Sequence, residues 1–174
     1  MVQTTTKFQS VLGTLVRKNA SYNVWACNKL IAWLSAKEPD ALYHVVPSSF
    51  PSIRETLIHM SNTERFWLDV LRQRPLTFSS SDLEALSLQE LFVFVTQLSE
   101  DLSIYIDQLS DEQLLEEVSL DTPWVKGSRP RYEFLQHVVN HTSYHRGQII
   151  TIGRNLGFTD APMTDFNYFS MMPQ

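Results

Sequence analysis

The sequence is poor in cysteine and glycine, with one and five in 174 residues, and it has no run of basic side chains. A lone Cys27 cannot close an intramolecular disulfide. The opening residues MVQTTTKFQS hold neither a basic n-region nor an apolar h-region, so no signal peptide is expected and the cytoplasm is the expected compartment. Cys27 lies in an apolar helical stretch, where cysteine usually serves as a small packing residue. No uninterrupted apolar stretch approaches the roughly 18 residues that cross a bilayer, so no membrane partner is expected. Fourteen Lys and Arg against nineteen Asp and Glu leave a formal net charge of −5. Without clustered cations to neutralise phosphates, nucleic acid is not an expected partner. Five glycines and eight prolines also exclude collagen-like and low-complexity chains.

What the chain does have is apolar surface: 43% hydrophobic residues, with ten Phe, six Tyr and four Trp. That is enough to offset the ordering entropy of a folded core, and the length suits a single domain over residues 1–174. Helical periodicity dominates, and no stretch alternates with period two. A first helix is expected over about 8–34, with Phe8, Val11, Leu12, Leu15, Tyr22, Ala26, Leu30 and Trp33 as its core stripe and Pro39 beyond its end. A second opens at Ser52-Ile-Arg-Glu55, a capping-box pattern, and runs to about Leu71. A third opens at the capping box Ser87-Leu-Gln-Glu90, with a stripe through Leu91, Val95, Leu98, Leu102, Tyr105, Ile106 and Leu109 and a short extension over 111–117. Residues 118–131 read as an irregular connection holding Trp124. The fourth helix is expected over about 131–156, ending before the C-cap position Gly157, and the aromatic tail 158–174 packs onto the body. Four such rods bury their stripes as an all-α four-helix bundle. Its connections at 35–51 and before the fourth helix are too long for tight hairpins.

Three of the five histidines fall on the fourth helix as His137-x3-His141-x3-His145. At about 100° per residue, His141 and His145 share a face with Phe134, Val138, Ile149 and Ile152, and His137 lies at its edge. On the second helix His59 shares the apolar side with Thr63, Phe66 and Val70. Buried imidazoles need partners. Each could bond a core Tyr, Asn or water. Alternatively, an i,i+4 pair with a third His from a facing helix supplies three corners of a metal tetrahedron. A di-iron Glu-x-x-His motif, a His-Glu-x-x-His zincin motif and a Gly-rich phosphate loop are all absent. Glu64 and Asp165 read as solvated carboxylates, with a hydrogen bond to a ligand imidazole as the alternative. Trp25, Trp33, Trp67 and Trp124 read as packing or lid residues, and Tyr144 and Tyr168 as tyrosines that could reach the site. His44 reads as a loop residue without function.

The stretch Asn140-His141-Thr-Ser-Tyr-His145-Arg146-Gly147-Gln148 resembles the signature of the DinB/YfiT-like family of small bacterial four-helix-bundle metalloproteins. Tyr22-Asn-Val-Trp25-Ala26-Cys-Asn28, the block 52–60 and Asp165-Phe-Asn-Tyr168 are similar to its first helix, second helix and C-terminal segment. The resemblance implies that His59, His141 and His145 are metal ligands, with His137 flanking them. It also implies that Arg146 pairs with a carboxylate and that Gly147 permits close helix packing. One divalent ion, zinc or nickel, is then the expected cofactor, with an open position for water or substrate. The implied activities are metal-dependent hydrolysis, or transfer involving a low-molecular-weight thiol, on a small-molecule substrate, in a protein that forms a homodimer. Two rivals stand beside this reading: a bundle that binds metal or a small ligand without catalysis, and a purely structural dimeric bundle.

Overall fold

The computed structural model describes residues 10–76, 79–123 and 125–173; Phe8 and Trp124 lie outside them. Helix α1 (Val11–Ser35) starts where the Ser10 side chain accepts the Gly13 N–H. Val11 and Leu15, expected in its core stripe, are 88% and 49% exposed. The reason is the approach of a second segment. The Ser10 N–H donates to the Asp111 carboxylate at 2.7 Å, and Arg17 pairs with the same group at 3.7 Å, so the first turn of α1 faces Asp111 instead. The buried face then runs through Val16, Ala20, Asn23, Cys27, Leu30 and Leu34.

Helix α2 (Ile53–Leu71) follows a single 3-10 turn at Pro39–Tyr43, and Ser52 caps it by accepting the Glu55 N–H at 3.1 Å. A one-turn helix α3 (Ser81–Glu84) precedes α4 (Leu88–Asp107), which carries the reciprocal capping box between Ser87 and Glu90 that the sequence announces. Such caps are each worth about 1 kcal/mol because they satisfy otherwise orphaned N–H groups. Short α5 (Asp111–Leu115) has its own box between Ser110 and Gln113. Helix α6 (Arg131–Asn155) stops just before Gly157, whose φ of 88° suits only a residue without Cβ. The tail forms α7 (Phe166–Ser170), capped by Asp165 and packed on α1 through Tyr22, Trp25 and Phe169.

One element departs from the expected irregular connection. Residues Glu117–Asp121 (β1) and Lys126–Pro130 (β2) pair antiparallel, Glu117 opposite Pro130 and Asp121 opposite Lys126. Only Val118 and Leu120 point inward, and Lys-Gly-Ser-Arg-Pro has no apolar residue to alternate, so the period-two signal is too short to register. Arg131 ties this hairpin to the bundle, donating to the Gln113 and Leu71 carbonyls and to Glu116.

Both α1 and α2 pack against α4 and α6. The consecutive long helices α1 and α2 therefore face each other across a diagonal, and so do α4 and α6. Crossing a diagonal needs more chain than a hairpin does, which accounts for the long connections. Two large apolar clusters fill the interior. One holds Val16, Leu71, Leu102, Leu114 and Leu135, and the other Leu30, Leu57, Leu91 and Ile149. Among the described residues no helix is long and apolar enough to cross a membrane.

Candidate metal centre

The face of α2 that carries His59 meets the face of α6 that carries His141 and His145. A ligand nitrogen from each of the three lies within 4.8 Å of the other two. The two α6 rings present their Nε2 atoms to one another at 3.1 Å, and the His59 ring centroid lies 4.5 Å from that of His145 and 5.2 Å from that of His141. Two imidazoles on a tetrahedral zinc, each at about 2.0–2.1 Å, hold their nitrogens about 3.3 Å apart. The α6 pair already has that spacing, so the donor set fits a divalent ion.

The imidazoles are uncharged at neutral pH. Burial pushes His59 down to about 4, helped by the proximity of His145. Burial first, then the neighbouring histidines, brings His141 down to about 4 as well. Burial also lowers His145, against the opposing pull of Gln148. Three neutral rings offer lone pairs without first losing protons. The Gln148 amide accepts from Nδ1 of His145 at 2.5 Å, which leaves the Nε2 lone pair of that ring facing the centre. Phe50 stacks on His59 with centroids 4.1 Å apart and meets His145 edge-on at 5.7 Å, so it roofs the pair.

The other expected residues divide. Tyr144 reaches the site, its ring edge-on to that of His145 with centroids 5.0 Å apart, whereas Tyr168 packs on Trp25. His137 is exposed, 5.8 Å by centroid from His141 and edge-on to Trp67 at 4.8 Å, outside the cluster of three. His44 is exposed beyond the 3-10 turn. Asp165 serves as the α7 cap.

Three expectations are corrected. Glu64 is not solvated: it is 4% exposed, accepts from Asn23 Nδ2 at 3.2 Å, and burial raises its carboxyl to about 7. Arg146 does not pair directly with that carboxylate. Its guanidinium donates to Asn23 Oδ1 at 2.7 Å and to Ser143 Oγ at 2.8 Å, and Asn23 bridges it to Glu64. Gly147 does not permit close helix packing, because a Cβ there would meet nothing within 4 Å. On α6 the tight glycine is Gly153, where a Cβ would stand 2.6 Å from the Trp33 ring. Cys27 is fully buried, and burial pushes its thiol up to about 11, consistent with a packing role. Sequence reasoning missed Phe50, a loop residue with no motif around it, and Asn23, a polar residue on a core face.

A family model described as the DinB family matches residues 1–173. The protein DinB of Bacillus subtilis is 29% identical over 159 residues, covering 87% of this chain and 91% of that one. Among solved structures, YfiT from Bacillus subtilis superposes with a TM-score of 0.66 at 14% identity, over 83% of this chain and 89% of its own. That protein is described as a probable metal-dependent hydrolase with an unusual four-helix bundle topology. A DinB-like protein, YjoA, from the same organism gives 0.57 at 18% identity over 90% and 98% of the two chains. At those identities the structural likeness establishes the four-helix-bundle fold, and the sequence match across nearly the whole length establishes that the chain belongs to the DinB family.

Proposed function

We propose that His59, His141 and His145 hold one divalent ion, zinc or nickel, and that the chain is a metal-dependent enzyme acting on a small molecule by hydrolysis or by transfer of a low-molecular-weight thiol. The observation that carries this reading is the convergence of three neutral imidazoles from two helices with no carboxylate or thiolate among them. Imidazole donors suit both ions, and three protein ligands leave a position open, which is the arrangement of catalytic sites. The description of YfiT, which shares the fold, as a probable metal-dependent hydrolase points the same way.

A divalent ion supplies Lewis acidity there and lowers the pKa of a water or thiol at the open position. The chain's own residues do the rest. Gln148 holds the Nδ1 proton of His145 and thereby its orientation. Phe50 covers the His59 and His145 rings and keeps water from their faces. The Tyr144 hydroxyl, which accepts from the Gln148 amide at 3.3 Å, stands beside His145 with its own proton to direct at a bound group.

Metal content by mass spectrometry on protein purified without chelators is the test, beside the His141→Ala/His145→Ala double variant. About one equivalent in the wild type and none in the variant is expected. The loaded protein should then accelerate ester hydrolysis or thiol addition in a panel of electrophiles. No metal in the wild type after incubation with zinc and nickel would overturn the site. Metal without acceleration of either reaction would leave a binding protein instead of an enzyme.

A further inference from the structure

The two large apolar clusters are parted by buried polar residues on α1, α2 and α6, and they meet on α4, where Phe94 packs against both. In α1 the first ends at Ala20 and the second begins at Leu30, with Asn23 and Cys27 between them. In α2 the clusters end at Met60 and begin at Leu68, with Glu64 between. In α6 they end at Val138 and begin at Ile149, with Arg146 between, and the buried Ser99 of α4, next to Leu98 of the first cluster, stands beside the Cys27 thiol. All four long helices thus contribute to one buried polar layer. Asn23 is its hub: its Oδ1 accepts from Arg146 at 2.7 Å, and its Nδ2 donates to Glu64 at 3.2 Å across the bundle diagonal. Asn23, Arg146 and Glu64 are 0%, 2% and 4% exposed. Arg146 also reaches Cys27 Sγ at 3.6 Å and lies over the Tyr22 ring at 5.2 Å.

Stability does not explain such a layer, because replacing a buried charged network by apolar side chains is commonly neutral or stabilising. The best-attested use of buried polar groups in helical bundles is to fix register. The layer is well placed for that. Arg146 directly follows His145, and Glu64 lies five residues after His59, about 100° and 140° round their helices from those ligands. A ring nitrogen about 7 Å from a helix axis moves by about 1.2 Å when the helix turns by 10°. Metal bonds tolerate only about 0.2 Å.

We propose that the layer of Asn23, Glu64 and Arg146 is a positioning device that pins the rotation of α2 against α6, and so holds His59 opposite His141 and His145. Its zinc readout rests on the three-histidine reading above; its geometric readout does not.

Three variants test it: Glu64→Leu, Glu64→Gln, and the apolar triple N23L/E64M/R146M. In metal-free protein the nuclear Overhauser contact between the His59 and His145 rings is expected in wild type and in Glu64→Gln, whose amide carbonyl still accepts from Asn23. It should be lost in Glu64→Leu and in the triple. Zinc affinity, by chelator competition, should fall at least tenfold in those two and stay within twofold in Glu64→Gln. The triple should nevertheless unfold in urea at the wild-type midpoint or above. Retention of both contact and affinity in Glu64→Leu and in the triple would overturn the proposal. If the contacts behave as expected but the wild type takes no zinc, the metal reading fails and the positioning role stands. If the triple does not fold, the layer is required for stability, and the Glu64 pair alone decides the positioning role.

Discussion

The Gln148 amide oxygen lies 2.5 Å from Nδ1 of His145, while the amide nitrogen of the same side chain donates to Ser49 Oγ at 3.2 Å and to the Tyr144 hydroxyl at 3.3 Å. The two donations orient the amide, and the amide selects the imidazole tautomer. Gln148→Leu removes that selection without touching a ligand. Zinc affinity should fall by about 10–100-fold, the usual effect of losing such a partner, while the helical circular dichroism spectrum stays unchanged. An affinity equal to wild type would show that the tautomer is set elsewhere.

His137 provides the matching control. It is exposed and lies outside the group of three, although it extends the same i,i+4 series on α6. His137→Ala should therefore keep one equivalent of zinc, whereas His59→Ala should lose it. Metal analysis of the two purified variants separates a three-histidine site from a four-histidine one.

The buried Glu64 gives stability a pH signature. Its carboxyl titrates near 7 in the folded chain against an ordinary value of 4.5. Between those values the native state binds more protons than the unfolded one, so this group's contribution to stability falls as pH rises from about 4.5 to 7. The loss amounts to at most about 3 kcal/mol. His59 and His141, lowered to about 4, act in the opposite sense between about 4 and 6.5. The comparison that isolates Glu64 is therefore wild type against Glu64→Gln by urea unfolding at pH 5 and pH 8. The wild type should lose ground to the variant at the higher pH. Equal differences at the two pH values would refute the assignment.

Two glycines on α6 should respond to alanine in opposite directions. At Gly147 a Cβ meets nothing within 4 Å, and removing a mid-helix glycine stabilises by about 0.5–1 kcal/mol. At Gly153 the Cβ would stand 2.6 Å from the Trp33 ring, which is itself held by a 2.9 Å bond from its Nε1 to Asp160. Gly153→Ala should destabilise by about 1–3 kcal/mol. Thermal melts of the two variants check both signs.

Much of the fold is written in local rules, and those parts are legible in the sequence. Ser52, Ser87 and Gly157 mark helix ends because a cap depends on residues within one turn. His141 and His145 are legible as a pair for the same reason, since i,i+4 spacing alone puts them on one face. His59 is legible as an inward-facing histidine from its apolar face with Thr63, Phe66 and Val70, but local spacing does not say which helix it meets, and the resemblance is what singles it out as the third ligand. The β-hairpin escaped because Val118 and Leu120 are its only inward apolar residues. Burial of Glu64 escaped because its partners come from other helices: Asn23 is 41 positions away, and Arg146 bonds that same Asn23 across 123. Exposed Val11 and Leu15 show the converse, a good local stripe overridden by Asp111 from a distant segment.

The diagonal arrangement of the long helices also sets an order of events during synthesis. The chain emerges from the ribosome N-terminus first, and α6, the last of the four, packs between α1 and α2. Until it is released, the nascent chain displays His59 with neither of its histidine partners, and the Asn23 hub has no guanidinium to receive. Contacts spanning most of the sequence make folding slow relative to bundles built from neighbouring hairpins. The three-histidine centre is thus a property of the finished chain alone, and a translation product truncated before α6 offers a metal ion no more than one of the three imidazoles.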